Sequence, residues 1–139
     1  MAHWLGVVSR THVERGVAGG FAQVCHGTEA PLRRMRAGDW LIYYSPATEM
    51  GGGDRLQSFT ALGQVVDERV YPHDMGDRVP FRRDLRYERV RPVKLAALSD
   101  RLHLTARPNW GMALRRGHLP LDEHDFQLIA SAMRRSAET

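Results

Sequence analysis

Cys25 and His26 stand side by side in "FAQVCHG", a thiol beside an imidazole, the types that serve as nucleophile and base or as two metal ligands. Both uses need the side chains to converge. On an extended chain neighbouring residues point to opposite faces, so the pair is expected to diverge. Of the seven histidines, none of the others stands at the i, i+4 spacing of a helical zinc site. No metal and no cofactor are expected. The G-x-S-x-G, G-x-x-x-x-G-K-[ST] and G-x-G-x-x-G frames are missing, and the glycines of "GVAGGF" lack the lysine and following helix that phosphate cradling needs. The expectation is therefore a binding protein with no catalytic residue. The enzymatic alternative acts on a nucleotide or small anion, with His26 as base and Cys25 or Ser9 as nucleophile.

The aromatic residues point to binding. "GDWLIYYS", residues 38–45, carries three large rings on what reads as a strand. Alternation places Trp40, Ile42 and Tyr44 on one face and Leu41, Tyr43 and Ser45 on the other. Trp40 and Ile42 are assigned to the core. One tyrosine joins them, and the other is available with Ser45 to a pocket, twist or a bulge deciding which. Trp4 and Phe59 sit in apolar runs and read as core. Trp110 lies in "RPNWGM", a proline-bounded loop near Arg107, Arg115 and Arg116, where it either pins the loop or offers a ring for stacking. His118 and His124 read as surface residues.

Charge suggests an anionic partner. The net charge is +4, and only Lys94 of the twenty basic residues is a lysine. Arg33, Arg34 and Arg36 cluster, and Arg82 to Lys94 holds six basic residues against two acidic. Such clusters suit a phosphate backbone.

These residues need elements to hold them. "HWLGVVS" reads as a first strand, followed by a helix opened by a capping box of Thr11 and Glu14 and ended by Gly16, Gly19 and Gly20. "FAQVCHG" is a short extended segment, and Ala30–Arg36 a helical turn or two. Residues 40–45 form a strand and "MGGGD" a loop. A long strand runs over Leu56–Val70, a loop over Tyr71–Pro80, another strand over Phe81–Val90, and short helix and turn over Leu95–Leu104. Asp122 caps a final helix, with Leu121 stapled to Phe126 and Phe126, Ile129, Ala130 and Met133 on one face. The fold class expected is α+β, with antiparallel strands in a partly closed barrel.

With 139 residues, 42% of them apolar, the chain fits one domain over 1–139. A single cysteine, no leader and no apolar run of about 18 residues predict a cytoplasmic protein away from the membrane. Oligomeric state is open.

The blocks "HWLGVVS", "GGFAQVCHG", "PLRRMRAGDWLIYYSP", "FTALGQVVDERVYP", "PFRRDLRY" and "NWGMALRRGHLPLDEHDFQLI" follow the order and spacing of EVE domain proteins. The chain resembles the short members made of that domain alone. The resemblance implies a PUA-like pseudo-barrel of mixed strands, flanked by short helices and a C-terminal helix and related to YTH and ASCH domains. It also implies a pocket at one barrel end that accommodates a flipped, modified base of DNA or RNA, such as a modified cytosine or adenine. Matched residue by residue, the pocket comprises Ser9, Val24, Cys25, His26, Tyr43 or Tyr44, and Ser45, with Phe81, Arg83 and Trp110 at its rim. Arg33, Arg34, Arg36 and Arg82 would hold phosphates. Two features depart from the family pattern. "VVSRTH" stands where many relatives carry Lys-Ser-Glu-Pro, and Val24 replaces a ring that some YTH relatives use. A PUA-like RNA binder indifferent to modification is the alternative.

Overall fold

β-branched and aromatic runs pair into one mixed sheet in the computed structural model, which describes residues 1–138. The strands are β1 (His3–Val7), β2 (Phe21–Ala22), β3 (Trp40–Ser45), β4 (Ser58–Pro72), β5 (Phe81–Tyr87), β6 (Val93–Lys94) and β7 (His118–Leu121). Their spatial order is β2-β5-β4-β3-β1-β7, with β6 on β4. Among the described residues, β1 and β3 form the one parallel pair. A parallel pair requires a crossover, and α1 (Arg10–Gly19), β2 and α2 (Glu29–Arg33) lie within it. The remaining helices are α3 (His103–Ala106), α4 (Trp110–Leu114) and α5 (Glu123–Glu138), with 3-10 turns at Cys25–Gly27 and Leu95–Ala97.

Alternation along the strands sorts side chains into two cores. Leu5, Ile42 and Leu62 pack with Phe126, Ile129 and Met133 of α5. Trp4, Leu41, Ala61 and Val65 pack on the other side with Val13 of α1 and Leu32 of α2. As expected, Asp122 caps α5: its Oδ1 accepts the Asp125 N–H at 2.8 Å, and Leu121 and Phe126 share a core.

Alternation along β3 settles the tyrosine question, and the bulge that interrupts its pairing lies in β4. Tyr43 pairs with Ala61 but Tyr44 with Phe59, which leaves Thr60 as the extra residue of β4. Tyr43 faces the core of α1 and α2. Tyr44 faces the α5 core, edge-on to Phe59 with ring centroids 5.6 Å apart. Ser45 is buried, and its Oγ meets the Thr60 hydroxyl at 2.7 Å.

Local expectations fail where a tertiary contact takes over. The capping box of α1 does not form: the Thr11 hydroxyl donates to Glu49 at 2.6 Å, and Glu14 pairs with Arg10 at 3.0 Å. The orphan N–H groups of Arg10 and Thr11 instead donate to the carbonyls of Ala47 and Thr48 at 3.1 and 2.9 Å. The helix continues through Gly16, where a Cβ would lie 2.6 Å from the Phe21 carbonyl oxygen, and ends at Gly20 with φ 75°. β4 extends to Pro72 and β5 stops at Tyr87, while α4 occupies part of what reads as loop. His118 is not a surface residue. It is 2% exposed because β7 pairs with β1 opposite Gly6, and its ring stacks on Trp4 at 4.8 Å.

Candidate functional site

The two end strands of the sheet, β2 and β7, do not pair, but the segments beside them meet. Cys25, just past β2, donates its thiol to the carbonyl of Arg116, just before β7, at 3.3 Å. Against this junction lies a cavity of about 650 Å³, within the usual range for ligand pockets. The end of β1, the start of α1, the Val24–Gly27 turn, the glycine-rich loop and Leu114–Gly117 form its walls.

The turn differs from the extended segment expected there. Cys25, His26 and Gly27 have φ of 50°, 61° and 82°, three left-handed residues in succession. Non-glycine residues in this region cost about 1–2 kcal/mol each, and such conformations cluster at ligand sites. Gly27 is held there by packing, since a Cβ would fall 2.4 Å from Pro80 Cβ. Cys25 and His26 form no hydrogen bond with each other among the described residues. Burial raises the Cys25 thiol above its ordinary pKa, outweighing the lowering by Arg34, the reverse of an activated nucleophile.

Tyr43, itself buried, lines the cavity. It fits because Gly6 has no side chain: a Cβ there would lie 3.0 Å from the ring. Its hydroxyl donates to the Gln23 carbonyl at 3.2 Å, and burial keeps it protonated. His12, whose Nδ1 is 3.1 Å from the Ser9 hydroxyl, also lines the cavity. Burial, then Arg15 and Arg78, lower its pKa below 6.5. At neutral pH its ring is uncharged, with one donor and one acceptor.

Six arginines line the cavity: Arg15, Arg55, Arg78, Arg82, Arg115 and Arg116. Arg82 stacks its guanidinium over Phe21 at 3.8 Å and donates to Gln23 Oε1 at 2.6 Å. The other five form no ion pair among the described residues. Glu49 and Asp54 also line it, bonded to Thr11 and Thr48 respectively. With six arginines against two carboxylates, the cavity wall carries an excess of positive charge.

Of the residues picked out from sequence, Ser9, Val24, Cys25, His26, Tyr43 and Arg82 line this cavity. Tyr44 and Ser45 do not: alternation along β3 turns Tyr44 into the α5 core with Ile42, and Ser45 is buried against the Thr60 hydroxyl. Phe81 lies against the inner core, outside the lining. Arg83 is not a rim residue: at 1% exposure it donates to the carbonyls of Leu32, Met35 and Asp67, satisfying the end of α2. Trp110 lines a separate groove along α4. Arg33 pairs with Glu29, Arg36 with Glu68 at 3.0 Å, and Arg34 lies over Trp4 at 5.1 Å; none lines the cavity.

His12 and the arginines at 15, 55 and 78 carry no mark in the sequence, and Arg115 and Arg116 stand out there only as neighbours of Trp110. They come from four separate segments, and only the loop folding over α1 and the approach of β2 to β7 gather them. A different cluster, His103, Asp122, His124 and Asp125, brings one donor atom each within 4.8 Å. Its hydrogen bonds fasten α3 to the start of α5: both oxygens of buried Asp125 accept N–H groups, from His103 at 2.7 Å and Leu104 at 2.8 Å. No helix among the described residues is long and apolar enough to cross a membrane.

The EVE domain family model matches residues 2–132. The UPF0310 protein YdcG of Bacillus subtilis is 43% identical over 133 residues, covering 94% of this chain and 91% of its own length. A UPF0310 protein of Mesorhizobium japonicum is 47% identical over 136 residues, covering 95% and 91%. Among solved structures, human THYN1 in complex with 5-methylcytosine-containing DNA superposes with a TM-score of 0.59 at 16% identity, covering 96% of this chain and 98% of that one. An ASCH protein of Zymomonas mobilis superposes at 0.52 with 12% identity, covering 94% and 96%. At these identities the superpositions speak for the fold, and they bear out the α+β, PUA-like class.

Proposed function

Because this chain belongs to the EVE domain family, we propose that it binds nucleic acid by taking one extruded base into the cavity between the Val24–Gly27 turn and His12. The observation that carries the proposal is the set of five arginines, unpaired among the described residues, that line the pocket and outnumber its two carboxylates, Glu49 and Asp54. A phosphate backbone supplies the matching charge, and a flat heterocycle suits the interior. The main chain of the turn and the His12 ring read the base edge, and the Ser9 hydroxyl adds a further polar group. Tyr43 sets the depth. The DNA in the THYN1 complex makes a modified cytosine the first base to test, with modified adenine next.

Extruding a base costs a few kcal/mol, so single strands bind better than matched duplexes. One buried methyl contributes only about 0.8 kcal/mol, roughly fourfold in affinity. A larger preference requires the unmodified base to leave polar groups unpaired. The raised Cys25 thiol supports a binding role over nucleophilic catalysis.

The test is fluorescence anisotropy of labelled single-stranded DNA and RNA, each with one central base plain or modified, at two salt concentrations. A fourfold or larger preference for one base, lost in His12→Ala, is expected. Equal, salt-sensitive binding to all strands would reduce the reading to an RNA- or DNA-binding surface indifferent to modification. No binding at low salt would overturn it.

A further inference from the structure

Arg116 lines not only the cavity but also a second concavity of about 510 Å³ along α4. Trp110, Pro108, Met112 and Leu119 give this groove its apolar surface, and among the described residues Arg107 and Arg116 are the charged ones that line it. Neither arginine forms an ion pair among the described residues, and no carboxylate lines the groove. Met112 is 58% exposed. Trp110 is half-buried against the α5 core, and its Nε1–H has no hydrogen-bond partner among the described residues. An indole and a thioether between two free guanidinium groups make a surface for a flat ring joined to an anion.

We infer that this groove holds the nucleotide adjacent to the extruded base on the same strand, with Arg116 at the phosphate between them and Trp110 beneath the neighbouring base. The inference rests on the base-cavity reading. Two features commit the groove to a strand already bound in the cavity: its positive charge without any acid, and the residue it shares with the cavity. Recognition here is stacking and charge, so the neighbouring base contributes affinity with little dependence on its identity. The footprint is then at least two nucleotides, and the cavity alone accounts for one.

The experiment compares trinucleotides carrying the preferred central base. One series has both neighbours abasic, a second restores the 5′ base and a third the 3′ base, each measured by competition against a labelled strand. Restoring one of the two neighbours should raise affinity about fivefold or more, the lower end for a base stacked on an aromatic ring. Trp110→Ala should abolish that gain while binding the doubly abasic strand as the wild type does. Met112→Glu, which places a negative charge on an exposed position without touching the core, should do the same if Trp110→Ala fails to fold. A gain that survives Met112→Glu and Trp110→Ala, or no gain from either neighbour, would overturn this inference alone. Failure of the wild type to bind the doubly abasic strand would bring down the base-cavity reading and this inference with it.

Discussion

Two arginine-rich regions of this chain use the same side chain in opposite ways. Around α2, Arg33, Arg36 and Arg83 face carboxylates or carbonyls of the protein and Arg34 lies over Trp4. Around the cavity, Arg15, Arg55, Arg78, Arg115 and Arg116 have no such partner among the described residues. The first region is the denser in sequence, yet its charge is largely answered internally. The second is assembled from four distant segments and leaves its charge open. Linear density of arginine therefore says little about where an anion binds, and the presence or absence of a partner says much more.

The largest effect is expected at Arg83. Replacing it with Ala leaves carbonyls of Leu32, Met35 and Asp67 without their donor and should destabilise the fold by about 3 kcal/mol or more in urea unfolding. A loss below about 1 kcal/mol would show that the α2 region does not depend on its arginine.

His118 tests the same region by pH. Burial, and then Arg34, lower its pKa from 6.5 to about 4. Between these values the unfolded chain takes up a proton that the folded one refuses. The stability from this group is therefore whole above pH 6.5 and falls as the pH drops towards 4, by about 3 kcal/mol at 1.4 kcal/mol for each pH unit. Denaturation midpoints across that range, for wild type and His118→Phe, read the difference. The variant keeps a ring against Trp4 but loses this share of the pH dependence, while the contribution of His12 in the same window remains.

At the cavity the effects should appear in binding and not in stability. Arg78→Ala is expected to leave the unfolding free energy within about 0.5 kcal/mol of the wild type, as for an exposed residue without an ion pair among the described residues. Its affinity for a single strand should fall at low salt, with the slope of log K against log salt flatter by about 0.7, the share of one phosphate that the protein no longer neutralises. An unchanged slope would remove Arg78 from the phosphate path. The smallest effect belongs to Arg33→Gln, an exposed i, i+4 pair with Glu29 worth about 0.3–0.5 kcal/mol, with strand affinity unchanged. A marked loss of affinity there would return phosphate binding to α2.

About half of the site residues picked out from sequence line the cavity, and the division has a physical pattern. Ser9, Val24, Cys25 and His26 lie on segments whose place follows from chain order alone: the end of β1 and the link after β2. Tyr44 is turned into the α5 core by plain alternation with Trp40 and Ile42, and Ser45 is buried where its hydroxyl meets Thr60 of the neighbouring strand. Arg83 and Arg82 are neighbours, so strand alternation sends one to α2 and the other to the cavity, a choice that register makes.

Sequence by itself determined the elements whose signals are local. Alternating and β-branched runs made the strands, Asp122 and the 3.6-residue periodicity made α5, and the ordered blocks identified the family. The tertiary structure alone decided what those elements meet. Whether Thr11 caps its own helix or bonds the loop, whether His118 is wet or buried, and which arginines find a carboxylate all depend on partners remote in the chain. Backbone preferences are written residue by residue, whereas burial, ion pairing and the walls of a cavity are properties of surfaces that exist only once the sheet has curled and its two ends have met.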